Sequence, residues 1–241
     1  MGSDDETTYG PLPTPGRVLA IGAHPDDVEF GSGATLAKWA AAGSHIEILV
    51  LTDGSKGTWD PSTDSATLAT RRRREQQDAA TALGVAAAHV LDIVDGELDS
   101  DRTTRQRVCE MIRVVQPDVV LGHDPWKQYR LHPDHFHAGR LVVDGIVAAR
   151  DPHFFPESGP PHRPHHLLLF EAQIADHTES VGTFLHHKVD ALLCHRSQWQ
   201  STMGIDVRSP DADLQQAAFV AKVRREVESG GGEVFKRIDE L

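Results

Sequence analysis

The sequence predicts an α/β protein, a mainly parallel, doubly wound sheet with helices on both faces, in a single domain. Three observations carry this expectation. Short apolar runs of β type alternate with longer helical patterns, the mark of βαβ units joined by right-handed crossovers. The chain has 241 residues, the size of one large α/β domain. Acids and imidazoles gather at the ends of the apolar runs while the run interiors stay apolar. That bias places a site on the carboxyl edge of the sheet, where open parallel sheets bind their ligands.

The elements follow in order. Strands are read at 18–23, 46–52, 90–93, 119–122 and 167–171, with helical patterns at 33–42, 66–83, 105–115 and 135–149 and a last helix at 181–199. Residues 1–16 are polar, rich in acid, Gly and Pro, and lack the basic end and apolar centre of a signal peptide. They are expected to form a flexible lead-in to a cytoplasmic protein whose single domain covers 17–241. Gly31 and Gly33 are expected to allow a tight passage from the loop after the first strand into the first helix. Phe30-Gly31-Ser32-Gly33 lacks the GxGxxG spacing of a dinucleotide loop, so nucleotide binding is not expected. The polar loop 54–65 and the proline-rich excursion 152–164 break the rhythm, and Ser229-Gly230-Gly231-Gly232 is expected to loosen the chain before a short final segment.

Composition narrows the function classes. Apolar residues make up 39%, enough for a core and too many for a disordered chain. No apolar run approaches the roughly 20 residues that a membrane span needs. A formal net charge of −12 disfavours a nucleic-acid partner, since phosphate contacts need clustered Lys and Arg. Cys109 and Cys194 form no CxxC pair, so free buried thiols are expected.

Two motifs carry the chemistry. His24-Pro25-Asp26-Asp27-Val28-Glu29 places an imidazole and carboxylates directly after the first strand. Taken alone it also reads as a turn with Asp26 or Asp27 as a helix cap. The second cluster, His132-Pro133-Asp134-His135-Phe136-His137, shifts the balance towards a metal site. His24 and Asp27 can reach one ion, and His135 supplies a third ligand, leaving an open position as in catalytic zinc sites. Two nitrogens and one oxygen suit one zinc per chain, with iron or cobalt as competitors. Zinc brings water to nucleophilic strength near neutral pH and polarises a carbonyl oxygen. Hydrolysis also needs a base, for which Asp26 is chosen, and a group to meet the oxyanion, for which His132 is chosen. Asp134 is expected to orient His132 and favour its imidazolium.

These motifs resemble the two signatures of the LmbE-like, or PIG-L, family of zinc N-deacetylases. Thr52-Asp53-Gly54, Arg72 with Glu75, Asp95-Gly96-Glu97-Leu98, Asp124-Pro125 and Lys188 through His195-Arg196-Ser197-Gln198 extend the likeness over most of the chain. The resemblance implies a Rossmann-like fold and removal of an acetyl or other acyl group from an N-acylated amino sugar or its conjugate. It implies Asp26 as general base, Asp27, His24 and His135 as zinc ligands, and His132 as oxyanion partner. Association of copies is implied as well, since family members often form homo-oligomers.

For substrate binding, Arg72 is read as meeting a carboxylate, phosphate or acetate group, or else as one of four arginines on a solvated helix face. Asp53 and Asp95 either bind sugar hydroxyls and order Arg72, or cap turns. Asp124 is a candidate support from the fourth strand, His195 a candidate from the last helix, and His177 a candidate lining residue. The loops 54–65 and 125–131 and the segment 152–164 are expected to choose the substrate. Two other readings stay open: a mononuclear metallo-hydrolase acting on another amide or a phosphoester, and a catalytically idle zinc-binding protein.

Overall fold

A computed structural model describes residues 9–241. In chain order the elements are β1 (Arg17–Gly22), α1 (Asp27–Ala41), β2 (His45–Thr52), α2 (Ser65–Leu83), β3 (Ala87–Ile93), α3 (Arg102–Val115), β4 (Val119–His123), α4 (Pro133–Arg150), β5 (His166–Phe170), β6 (His177–Glu179), α5 (Leu185–Cys194), α6 (Ala212–Ser229) and β7 (Glu233–Asp239). The strands form one seven-stranded sheet in the order β3-β2-β1-β4-β5-β7-β6. β1 to β5 pair in parallel, while β7 runs antiparallel to both β5 and β6. The chain winds outward from β1 to β3 and then returns to place β4 on the other side of β1. Strand order therefore reverses between β1 and β4, and the loops leaving those two strands diverge to open a crevice.

The alternation along β1 explains the layering. Val18 and Ala20 meet Leu36 and Trp39 of α1, Leu83 of α2 and Ala191 of α5. Leu19 and Ile21 point the other way, onto Ile112 of α3 and Leu141 and Ile146 of α4. All four β1 side chains are fully buried, so the strand is apolar on both faces and reads as a continuous run. Each large side chain so buried contributes roughly 1.5–3 kcal/mol. Asp64 and Asp101 cap α2 and α3 by accepting from Thr67 N and Thr104 N.

The carboxyl-terminal third departs from the expected pattern. The helix expected over 181–199 is the shorter α5, ended by His195 and a 3-10 turn at Arg196–Gln198. α6, β6 and β7 were not anticipated. α6 buries only Phe219, Val223 and Val227, one residue per turn, too narrow a stripe to stand out among its charges. The glycine run does not loosen the chain but turns it tightly. Gly232 has φ 150, and a Cβ there would lie 2.2 Å from Glu179 O, so only glycine lets β7 enter beside β6.

Two other segments are better anchored than their composition suggests. Of the expected lead-in, 1–8 lies outside the described residues. Residues 9–16 meet the sheet edge, Tyr9 N donating to Asp176 O and buried Leu12 donating its N–H to Glu179 Oε1. The excursion 152–164 wraps the buried Arg113 guanidinium, which donates to the carbonyls of Ala148, Ala149, Asp151, Phe154, Phe155 and Gly159. Cys109 is buried and Cys194 half-buried, and both are free. Among the described residues no helix is long and apolar enough to cross a membrane.

Candidate active site

The crevice between the β1 and β4 ends is a cleft of about 410 Å³, lined by His24, Asp26, Asp27, Arg72, Asp95, His132 and His135 among others. Its floor is set by two strand-to-helix turns. In the first, β1 ends at Gly22 and α1 starts at Asp27, with His24 N donating to Asp27 Oδ2 at 2.7 Å. In the second, Pro133 opens α4 behind His132, which caps the helix by accepting from Asp134 N. Gly139 lets α4 approach closely, since a Cβ there would lie 2.6 Å from His123 O.

Donor atoms of three side chains from the two motifs converge. His24 Nδ1 lies 3.2 Å from His135 Nε2 and 3.4 Å from Asp27 Oδ2, and His135 Nε2 lies 3.3 Å from Asp27 Oδ1. Ligands around a tetrahedral ion with bonds of about 2.0–2.1 Å stand about 3.3–3.4 Å apart, so the spacing of each pair of these side chains suits ligands of one ion. The far nitrogen of His24, Nε2, faces Asp134 Oδ2 at 3.1 Å and Asp95 Oδ1 at 3.2 Å. A proton held there leaves the Nδ1 lone pair turned to the centre. The cluster is a candidate metal-binding group of two imidazoles and a carboxylate.

The charges support the same division of labour. Burial lowers the His24 pKa, but hydrogen bonds to Asp134, Asp27 and Asp95 outweigh it and raise the pKa well above the ordinary value. Asp27 is the reverse case: burial raises its carboxyl, while the His135 and His123 charges hold it well below the usual range. Asp26, the neighbour in sequence, is pushed up to about 6 by burial, against the pull of Arg72. Its backbone is in the left-handed region at φ 109, a conformation seldom taken away from functional turns. It stands at the N-terminus of α1, where the helix dipole favours its ionised form.

A family model described as PIG-L, GlcNAc-PI de-N-acetylase, matches residues 19–146, which hold both motifs. The chain belongs to the PIG-L family. A diacetylchitobiose deacetylase of Thermococcus kodakarensis is 42% identical over 138 residues, covering 57% of this chain and 52% of that protein. A 1D-myo-inositol 2-acetamido-2-deoxy-alpha-D-glucopyranoside deacetylase of Kineococcus radiotolerans is 31% identical over 169 residues, covering 57% of this chain and 46% of that protein. The chain thus spans about half the length of the curated relatives it matches. The solved N,N'-diacetylchitobiose deacetylase of Pyrococcus horikoshii superposes with a TM-score of 0.82 at 28% identity, over 93% of this chain and 84% of that one.

Within this PIG-L family chain the expected site residues separate into groups. His24, Asp26, Asp27, Arg72, Asp95, His132 and His135 share the cleft. Arg72 alone of the four arginines turns inward. Its Nη1 donates to Gly54 O at 3.0 Å and its Nη2 to Pro25 O at 2.5 Å, 3.5 Å from Asp26 Oδ2. Asp95 faces His24 and also accepts from Lys56 N at 3.2 Å.

Asp134 does not do what was expected of it. Its carboxylate accepts from Gly96 N at 2.7 Å and Leu98 N at 3.3 Å and holds His24, so it orients the other motif rather than His132. His132 takes its proton less readily than a free imidazole, first because it is partly buried and then because His24 and His135 stand close. With Nδ1 accepting from Asp134 N, a neutral His132 carries its proton on Nε2.

The remaining substrate candidates stand back from the cleft. Asp53 Oδ1 accepts from Ser55 N and Asp95 N, and Asp124 accepts from Trp126 N and Gln173 N, so both pin turns. His195 is fully buried with Nε2 3.6 Å from Glu29 Oε2, and His177 is buried against Glu179 at the sheet edge. Of the loops expected to choose the substrate, only 54–65 reaches the cleft, through Gly57.

Sequence reasoning gave His123, Glu171 and Gln198 no role of their own and did not anticipate α6. His123 Nε2 lies 3.1 Å from Asp27 Oδ2 and its ring stacks on His135 at 4.4 Å. Its position at a strand end was the available signal. Glu171, just past β5, lines the cleft; burial raises its carboxyl, but the His123 hydrogen bond and charge bring it down to about 2.

Proposed function

We propose that this chain is a zinc-dependent amide hydrolase that removes an acetyl group from an N-acetylated amino sugar or its conjugate. The observation that carries the reading is the convergence of His24 Nδ1, the Asp27 carboxylate and His135 Nε2, with Asp26 beside them raised to about 6. Two nitrogens and one carboxylate oxygen are the donor set of a catalytic zinc with an open position. Zinc held there would supply a Lewis acid for the amide carbonyl and acidify water to near neutral pH.

The chain's own residues do the rest. Asp26 accepts the proton of the attacking water, a task suited to a carboxylate poised near the working pH, and returns it to the departing amine. His132 donates its Nε2 proton in a hydrogen bond to the oxygen on which charge develops. Arg72, anchored on two carbonyls, holds Asp26 in place through its guanidinium and keeps the crowded acids from repelling one another. Asp134 and Asp95 fix the His24 ring. The curated relatives named above are deacetylases of acetamido sugars, which supports the same substrate class here.

A panel of N-acylated amino sugars, assayed by release of primary amine with and without a chelator, tests the reading. Metal-dependent release from acetamido sugars is the expected result; no release from any member, or release that survives complete metal removal, contradicts it.

A further inference from the structure

Asp27 has two carboxylate oxygens, and their surroundings differ. Oδ2 accepts from His24 N at 2.7 Å and faces His123 Nε2 at 3.1 Å. Oδ1 lies 3.3 Å from His135 Nε2. Two N–H donors at Oδ2 fill its in-plane lone pairs and leave Oδ1 as the oxygen open to a cation. His123 is the second of those donors only if its Nε2 carries a proton.

The surroundings of the ring decide that point. His123 ends β4, is 1% exposed, and is held between His135, stacked at 4.4 Å, and Phe170, edge-on at 4.6 Å. Its Nδ1 meets Arg130 Nη1 and Glu171 Oε2, each at 3.2 Å, and Arg130 Nη1 also donates to Glu171 Oε2 at 2.8 Å. In a neutral ring Arg130 donates to Nδ1 and the proton sits on Nε2. In a charged ring Nδ1 donates to Glu171 and Nε2 keeps its proton as well. The remaining tautomer would turn a bare Nε2 lone pair onto Asp27 Oδ2, with only Ala23 N, 3.4 Å away, to donate to it.

These contacts are made against local preferences. The Arg130 side chain is 7% exposed, and its Nε and Nη2 have no hydrogen-bond partner among the described residues. A guanidinium kept from water with donors unmet adds little stability of its own, so its place points to the two groups it does touch. Glu171 holds φ 52 and Tyr129, next to Arg130, φ 57, left-handed backbones that recur at ligand sites.

We propose that His123 is a positioning residue for the Asp27 carboxylate: Arg130 and Glu171 fix its ring, its Nε2–H holds Oδ2, and Oδ1 is left to the cation. The inference rests on the zinc-hydrolase reading and adds a second buried arm to the one by which Asp134 holds His24. His123 also comes close enough to Asp27 and His135 to be a ligand itself, and the test separates the two roles.

Zinc affinity, read by competition with a chromogenic chelator, is compared in the wild type, His123→Gln and His123→Leu. Gln keeps an N–H donor, while Leu keeps only bulk. His123→Leu is expected to bind zinc about 10–100-fold more weakly, and His123→Gln to stay within about threefold of the wild type. Equal affinity in all three chains, or an equal loss in both variants, overturns the positioning role. Heteronuclear NMR of the imidazole rings in the zinc-loaded wild type, with His123 assigned by its absence from His123→Gln, is expected to show the proton on Nε2. A bare Nε2 there overturns the proposal even if His123→Leu does not fold. A wild-type chain that takes up no zinc overturns the hydrolase reading beneath it instead.

Discussion

Asp134 Oδ2 stands 3.1 Å from His24 Nε2, so the second motif holds a ring of the first across 110 residues of sequence. The pair ties β1 to α4 at the reversal of strand order and decides which nitrogen of His24 faces the centre. A carboxylate in this position raises the basicity and fixes the orientation of a ligating imidazole.

Replacing that carboxylate tests the link. Asp134→Asn is expected to weaken zinc binding by about 10–100-fold, read by competition with a chromogenic chelator. Unchanged affinity would mean that Asp134 serves only to hold the Gly96 and Leu98 amides.

The His24 pKa gives a pH-dependent prediction. Burial opposes protonation, but the hydrogen bonds to Asp134, Asp27 and Asp95 raise the folded pKa well above its unfolded value. In the metal-free chain this stabilisation is fully present below the unfolded pKa and is lost as pH rises through the folded one. A metal must displace the same proton, so zinc affinity grows with pH. The rise in Tm on adding zinc should therefore be larger at pH 8 than at pH 6. An equal or smaller rise at pH 8 speaks against His24 as a ligand.

His132 is assigned as a neutral donor. His132→Ala should lower kcat by about 10²–10³-fold. His132→Gln, which keeps an N–H, should recover part of that loss. Identical losses in the two variants would remove the donor role.

Arg113 makes a prediction about stability alone. Its guanidinium is buried and meets six carbonyls around the excursion after α4. A lysine carries three donors and cannot span that fan, so Arg113→Lys should cost about 3 kcal/mol in urea unfolding. Activity at 25 °C should be retained; a loss below about 1 kcal/mol would show the fan to be dispensable.

How much of this was legible in the sequence varies along the chain. The parallel half was, because β1, β2 and β4 bury both faces and their runs are apolar throughout. The convergence of His24, Asp27 and His135 on one cleft was legible too, since they flank strand-to-helix turns at sheet ends. Partnerships were not. Asp134 lies beside His132 in sequence, yet α4 turns its side chain towards Gly96, Leu98 and His24. The cleft wall was also hidden: Glu171 looks like the last letter of a strand, and α6 shows three buried residues among charges. β7 escaped notice because its glycine turn reads as a loose end until Glu179 O is seen against Gly232.

The most direct test of the account measures metal content and turnover together in Asp26→Asn. Burial raises Asp26 to about 6, so the wild-type rate should fall as the pH drops through that region and the carboxylate takes up a proton; a bound cation moves this limb lower. Asparagine keeps the shape but cannot accept the proton. The account predicts one zinc per chain, as in the wild type, with kcat for amine release lowered by about 10²–10⁴-fold. Full metal content with turnover within a few-fold of wild type would contradict it.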